Sequence, residues 1–242
     1  MGECAIDVKN VSIYYRILNG TSVRKSVWEK KQRNLMHKAV KGLSFSVERG
    51  EVLGIVGRNG SGKSTLLRSI AGIFAPNEGA IDLHGHSVSL MALGIGFIDR
   101  LSGRENIVLS GMLLGFSEQE VEDKVEEIID FSELGEFIDR PVSTYSSGMY
   151  SKLAFAITAM LETDIMLVDE VLSVGDSRFQ QKSFAKMRAL ITDVNTTVLI
   201  VSHSMETLKE LCNRVLWIHD GEMREIGETE MVLQHYTEFM NS

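Results

Sequence analysis

Nine residues, Gly57 to Thr65, reading G-R-N-G-S-G-K-S-T, constrain this chain more than any other stretch. The apolar run Val52 to Val56 before them has the length and β-branched content of a buried strand. Leu66 to Ala71 after them reads as the first turns of a helix. A strand, a glycine-rich turn and a helix N-terminus make an anion site, because successive N–H groups point inward and the helix dipole adds positive partial charge. The main chain wraps a phosphate where Gly57, Gly60 and Gly62 carry no Cβ. All nine positions, with Arg58, Asn59, Ser61 and Thr65 among them, are candidates for triphosphate contact. Lys63 can reach the β- and γ-phosphates, and the Ser64 hydroxyl can ligate a magnesium ion. The chain should hold ATP or a related triphosphate with Mg2+.

A carboxylate at the end of a neighbouring buried strand is the expected companion of such a loop. Ile165 to Val168 reads as that strand and ends in Asp169-Glu170. Asp169 can hold magnesium from the side opposite Ser64. Glu170, one position on, points differently and can take a proton from an attacking water. Val198 to Val201 is a third buried-type strand ending in Ser202-His203, and His203 could hydrogen-bond the γ-phosphate.

The other segments fit around this frame. Ala5 to Tyr15 reads as a strand with Ile6, Val8 and Val11 inward, and Tyr15 could stack on a nucleotide base. Val40 to Val47 is a second strand, so the N-terminal strands are expected to form a hairpin sheet. Ala80 to Leu83 and Ser87 to Leu90 are expected to complete that small β layer. Residues from about Phe97 to Glu162 read as mainly helical, with a capping box at Ser117 to Glu120 and apolar Val121, Val125, Ile128 and Ile129 at helical spacing. Arg214 to His219 and Met223 to Ile226 pair across Asp220-Gly221, and Glu230 to Met240 is a closing helix.

The formal net charge of −8 argues against a nucleic-acid partner. No apolar stretch approaches the ~18 residues of a membrane span, and the two cysteines, Cys4 and Cys212, suit a reducing compartment. Against that acidity, residues 16–41 carry Arg16, Arg24, Lys25, Lys30, Lys31, Arg33, Lys38 and Lys41 with a single acid, Glu29. A helix from Ser22 to about Leu35, with Val23, Val27 and Trp28 on one face, fits an anionic membrane surface; a solvated basic loop is the alternative.

A second glycine motif, Tyr145-Ser146-Ser147-Gly148-Met149, opens the helix Tyr150 to Met160 and makes a second anion site. Within the helical insertion it cannot readily reach its own phosphate loop. A two-fold dimer would place it on the neighbour's nucleotide.

Here the chain resembles the ATPase subunits of ATP-binding-cassette (ABC) transporters. Tyr145 to Met149 resembles their signature motif, usually Leu-Ser-Gly-Gly-Gln, with Ser146 and Gly148 retained and Ser147 and Met149 departing. Gly57 to Thr65 resembles Walker A and Ile165 to Glu170 Walker B. Ser173 to Asp176 matches the D-loop, His203 the switch histidine, and Tyr15 the adenine-stacking aromatic. The stretch Gly96 to Leu101 reads G-F-I-D-R-L, so no glutamine of the family's Q-loop is assigned. The phrases L-S-G-R-E-N-I, F-S-E-L-G-E-F-I-D, Y-S-S-G-M-Y and D-E-V-L-S-V-G-D resemble the polysaccharide-export ATPases of O-antigen, capsule and teichoic-acid transporters. With the sequence ending at Ser242, a form without a C-terminal carbohydrate-binding domain is expected.

The resemblance implies an α/β fold: a P-loop, RecA-like core with an N-terminal antiparallel β subdomain and an inserted helical subdomain. It implies one ATPase domain over 1–242, with β contributions from about 5–56 and 76–92, helices over about 97–162 and the basic insertion 16–41. It further implies a head-to-tail dimer of two copies around two ATP molecules, joined to two copies of an integral membrane permease at the cytoplasmic face. Catalysis would fall to Glu170, His203 and Lys63, metal binding to Ser64 and Asp169, and further nucleotide contacts to Ser146, Ser147, Gly148 and Asp176. The competing expectations are an ABC transporter for another substrate and a soluble, non-transport ABC ATPase.

Overall fold

The computed structural model describes residues 3–16, 36–91, 96–169, 175–193 and 195–241. Its centre is a six-stranded sheet in the order β5 (Val88–Met91), β6 (Ile165–Asp169), β7 (Thr197–Val201), β3 (Val52–Val56), β8 (Arg214–His219), β9 (Glu222–Glu228). The first five strands are parallel and β9 returns antiparallel. β3 and β7 are buried at every position, as strands covered on both faces must be, which is why they read as continuous apolar runs.

One face carries helix α1 (Lys63–Ile70) and a three-stranded antiparallel sheet, ordered β2 (Met36–Glu48), β1 (Cys4–Arg16), β4 (Glu78–Asp82). Leu53 and Ile55 share a core with Leu66, Leu67 and Ile70 of α1 and with Ile6, Val8, Val11 and Ile13 of β1. The buried positions of β1 change phase between Val8 and Val11. The register against β2 slips there, around Asn10 at φ 48°, and a bulge of this kind keeps apolar side chains inward on both sides of the irregularity.

The opposite face is covered by helices α5 (Ser177–Ile191) and α7 (Thr229–Asn241) and by one side of α4 (Ser147–Met160), through Phe179, Leu190, Val232, Leu233 and Phe155. The far side of α4 joins α2 (Gly103–Leu113) and α3 (Glu118–Ser132) in a third core built on Ile107, Val121, Ile128, Leu153 and Ile157. The Ser117–Glu120 capping box forms reciprocally. A second box, Ser102 with Glu105, starts α2. The short helix α6 (Met205–Leu211) follows β7.

One expectation is corrected. Ser87 to Leu90 does not complete the small β layer: β5 pairs parallel with β6 in the central sheet, and only β4 joins β1. Ser89, Leu90 and Met91 are all buried, so this strand lacks the alternation that a one-sided sheet needs. Ser89 meets Thr163 by a 2.8 Å hydroxyl pair, and Asp164 accepts from the Ser87 hydroxyl at 2.7 Å. These polar ends are what admit serines to the edge of the core. Trp28 and most of the basic segment, residues 17–35, lie outside the described residues.

Candidate nucleotide site

The C-terminal ends of β3, β6 and β7 lie side by side, and helices leave the sheet there. In open α/β sheets this edge is where ligands bind. Gly62 is the N-cap of α1 at φ 105°, and a Cβ there would collide with the Ala39 carbonyl of β2. Gly57 is equally closed, by the Ile218 carbonyl of β8. The two glycines therefore let the loop pass between the small sheet and the central one.

Lys63 is buried, and its ammonium donates to the carbonyls of Gly57 at 2.7 Å and Arg58 at 3.0 Å. The Ser64 hydroxyl donates to Asp169 Oδ1 at 3.1 Å, across the gap between β3 and β6. A hydroxyl and a carboxylate at this separation are hard oxygen donors of the kind magnesium takes, with water and phosphate oxygens filling its other positions. The residues present therefore fit that ion. Ser61 Oγ is buried beneath Gly57 and has no hydrogen-bond partner among the described residues.

A cavity of about 240 Å³ opens over this loop, lined by Asn59, Gly60, Gly62, Lys63, Ser64 and Thr65. Tyr15 and His203 form parts of its wall. The Tyr15 hydroxyl lies 3.4 Å from Thr65 Oγ1, and its ring meets Phe74 edge-on. His37, a residue the motifs do not mark, lines the same cavity and stands directly across from Tyr15 in the β1–β2 pair. Directly opposed residues on antiparallel strands present their side chains to one face, so a strand register of this kind is the signal that would have found His37.

Ser146, Ser147, Gly148, Asp176 and Arg58, all expected nucleotide contacts, do not line this cavity. Ser146 caps α4 by accepting from the Met149 N–H at 3.2 Å, so the signature motif opens the helix as expected. Ser147 and Gly148 form its first turn, and none of the three lines the cavity. Among the described residues, a Cβ on Gly148 would meet nothing nearer than Ser146 Oγ at 3.9 Å, an ordinary contact, so their packing does not require glycine there. Tyr145, where the family has leucine, donates to the Phe137 carbonyl at 2.8 Å and touches the backbone of Gly103; burial raises its phenol.

Asp176 is engaged within the chain. It caps α5 through the N–H groups of Arg178 and Phe179, and pairs with Lys152 Nζ of α4 at 2.6 Å. The Lys152 ammonium, with the Phe179 N–H behind it, holds this carboxyl down to about 2. The Arg58 side chain leaves the loop, and its guanidinium lies over Phe239 of α7. Glu170 lies outside the described residues.

The loop Gly96 to Leu101, where the family's glutamine is expected, is organised together with Ser102 by Asn106 of α2. Asn106 is fully buried, accepts from the Ile98 N–H at 2.7 Å and donates to the carbonyls of Ser102, Leu101 and Ile98. Phe97 packs on Tyr150 of α4 with ring centroids 4.9 Å apart.

Fold and loop together define a nucleoside triphosphatase of the phosphate-loop class. Residues 40–173 match the family model described as ABC transporter. The chain belongs to that family, and its site is that of an ATPase. It is 40% identical to the O-antigen export system ATP-binding protein RfbB of Klebsiella pneumoniae, over 98% of this chain and 99% of that one. It is 43% identical to the teichoic acids export ATP-binding protein TagH of Bacillus anthracis, over 84% of this chain but only 37% of that one. A RfbB of Myxococcus xanthus, 45% identical, is also matched over less than half its length, 46%. Among solved structures, the fold matches a dimeric ATP-binding cassette bound to ADP and Pi, with a TM-score of 0.71 at 22% identity over 93% of this chain and 98% of that one. Among the described residues no helix is long and apolar enough to cross a membrane.

Proposed function

We propose that this chain is the ATP-hydrolysing subunit of an exporter that moves a lipid-linked polysaccharide, such as O-antigen, capsule or teichoic acid, across the cytoplasmic membrane. The observation that carries this reading is the 40% identity to the Klebsiella pneumoniae exporter subunit along nearly the full length of both chains. The 43% identity to a teichoic-acid exporter subunit supports the substrate class.

In this reading residues 1–242 act as one ATPase domain, with the small sheet holding the base and the helices α2 to α4 serving a second copy. The loop N–H groups from Gly57 to Thr65 and the Lys63 ammonium hold the β- and γ-phosphates, Lys63 exchanging its loop carbonyls for phosphate oxygens. Tyr15 and His37 flank the base. Ser64 and Asp169 hold Mg2+, which neutralises charge on the phosphate oxygens when bound. Glu170 takes a proton from water as its oxygen bonds to the γ-phosphorus and the bond to ADP breaks, giving ADP and phosphate. His203 donates toward the γ-phosphate.

The α4 N-terminus of a second copy completes the site from the other side, with Ser146, Ser147 and Gly148 against the γ-phosphate. The room around Gly148 supports this: a phosphate from outside the chain gives its missing side chain a reason. Two copies then close head-to-tail, seated on two copies of a membrane permease at the cytoplasmic face. The positive charge of residues 16–41 suits an anionic membrane surface.

The test is a strain in which this gene is removed. Lipid-linked polysaccharide should accumulate inside the cell, and export should return with the wild-type chain but not with Lys63→Ala. Undiminished surface polysaccharide in the deletion strain would overturn the substrate class.

A further inference from the structure

Arg58 is the second residue of the phosphate loop, and its two ends do different work. Its carbonyl accepts from Lys63 Nζ at 3.0 Å. Its guanidinium leaves the loop for the last turn of α7, where it lies 5.6 Å from the Phe239 ring centroid and donates through Nε to Met240 Sδ at 3.3 Å. Phe239 is itself held by its surroundings. His219 meets it at 4.9 Å and Trp217 at 5.2 Å between ring centroids, and the Arg224 guanidinium lies 4.9 Å from its centre. The same corner grips the loop a second time, where the Gly221 N–H donates to the Ser61 carbonyl at 3.1 Å.

We propose that the end of α7 positions the phosphate loop through Arg58, so that Phe239 and Met240, which lie outside the cavity, help set the affinity for ATP. Arg58 is thereby a positioning residue. The Arg58 peptide is part of the phosphate-binding loop, and its orientation follows the side chain anchored on α7. A guanidinium anchored over an aromatic face has less freedom than one in solvent, so the anchored loop reaches its phosphate-binding shape at lower entropic cost. The inference rests on the reading of Gly57 to Thr65 as the ATP loop.

The experiment measures ATP–Mg2+ binding and steady-state hydrolysis with the full chain carrying Phe239→Leu, Met240→Ala, Arg58→Ala, and Arg58→Ala with Phe239→Leu. Leucine keeps the apolar contact with Trp217 but removes the ring face. Phe239→Leu should weaken ATP binding about two- to five-fold, the range a contact of this kind supplies, raising KM while leaving kcat at saturating ATP. Arg58→Ala should do the same, and the double variant should be no weaker than Arg58→Ala alone. Unchanged affinity in Phe239→Leu, or a double variant whose losses multiply, would overturn the link. Should Phe239→Leu fail to fold, the exposed Met240→Ala decides: weaker binding supports the link and unchanged binding overturns it. Lys63→Ala is the control for the underlying reading: if it binds ATP as tightly as wild type, the loop is not the ATP site and that reading fails on its own account.

Discussion

Replacing Asn106 by alanine should unfasten the loop between the central sheet and the helical layer. Its side-chain oxygen takes the Ile98 N–H, and its two N–H bonds are shared among the carbonyls of Ser102 at 2.8 Å, Ile98 at 3.2 Å and Leu101 at 3.3 Å. Two hydrogens cannot fully satisfy three carbonyls, so the variant loses the equivalent of three hydrogen bonds. At about 1 kcal/mol each that is roughly 3 kcal/mol, with somewhat more for the space left behind. For a domain of this size each kcal/mol moves the melting temperature by about 2–4 °C, so a fall of roughly 6–12 °C is expected. Asn106→Leu tests the cause: it restores volume but takes the side-chain acceptor from the Ile98 N–H, so it should rescue less than half of the loss. Calorimetry with urea titration measures both. Because Asn106 does not line the cavity, ATP affinity should stay within about two-fold of wild type in the folded fraction. A loss below about 1 kcal/mol in the alanine variant would refute the reasoning, since it would mean that these bonds do not hold the loop.

Three further outcomes follow from the geometry. Gly62→Ala should cost about 2 kcal/mol or more and abolish ATP binding, because φ 105° and the Ala39 carbonyl both refuse a Cβ; melting and nucleotide titration check it. Ser64→Ala should raise the Mg2+ concentration for half-maximal hydrolysis about tenfold or more, while ATP binding without metal stays near wild type. For Asp176 the folded carboxyl titrates near 2, below its ordinary 3.8, so the unfolded chain binds more protons between those values and stability falls as pH drops through that window. Asp176→Asn should remove that part of the acid dependence, as read from melting temperatures between about pH 4 and pH 2.

The sequence was most informative where a local rule had one outcome. A strand, nine loop residues and a helix can be arranged around a phosphate in one way, and the structure sets Lys63, Ser64, Asp169, Tyr15 and His203 about that edge. The Ser117 capping box was readable for the same reason, and Ser102 with Glu105 carried the same signature unread. Strand partners were less legible. Ser87 to Leu90 is short, apolar and near a turn, and nothing local tells a central-sheet edge from a small outer layer; pairing with Ile165–Val168 decides it. Side-chain direction was the least legible. Arg58 and Asp176 sit within motifs expected to contact nucleotide, yet their side chains meet Phe239 and Lys152, which lie far along the chain. His37 emerges only when β2 is laid against Tyr15.

In the proposed dimer each ATP site is shared by two copies of the chain. Lys63→Ala disables the phosphate loop of one copy, and Gly148→Asp disables the α4 N-terminus that serves the other. Each variant alone should be inactive in ATP hydrolysis. Mixed in equal amounts with the permease, random pairing makes half the dimers mixed, each with one intact site, so roughly a quarter of wild-type activity should return. Activity that stays at zero on mixing, or a Gly148→Asp chain that hydrolyses ATP at the wild-type rate by itself, would contradict the shared site.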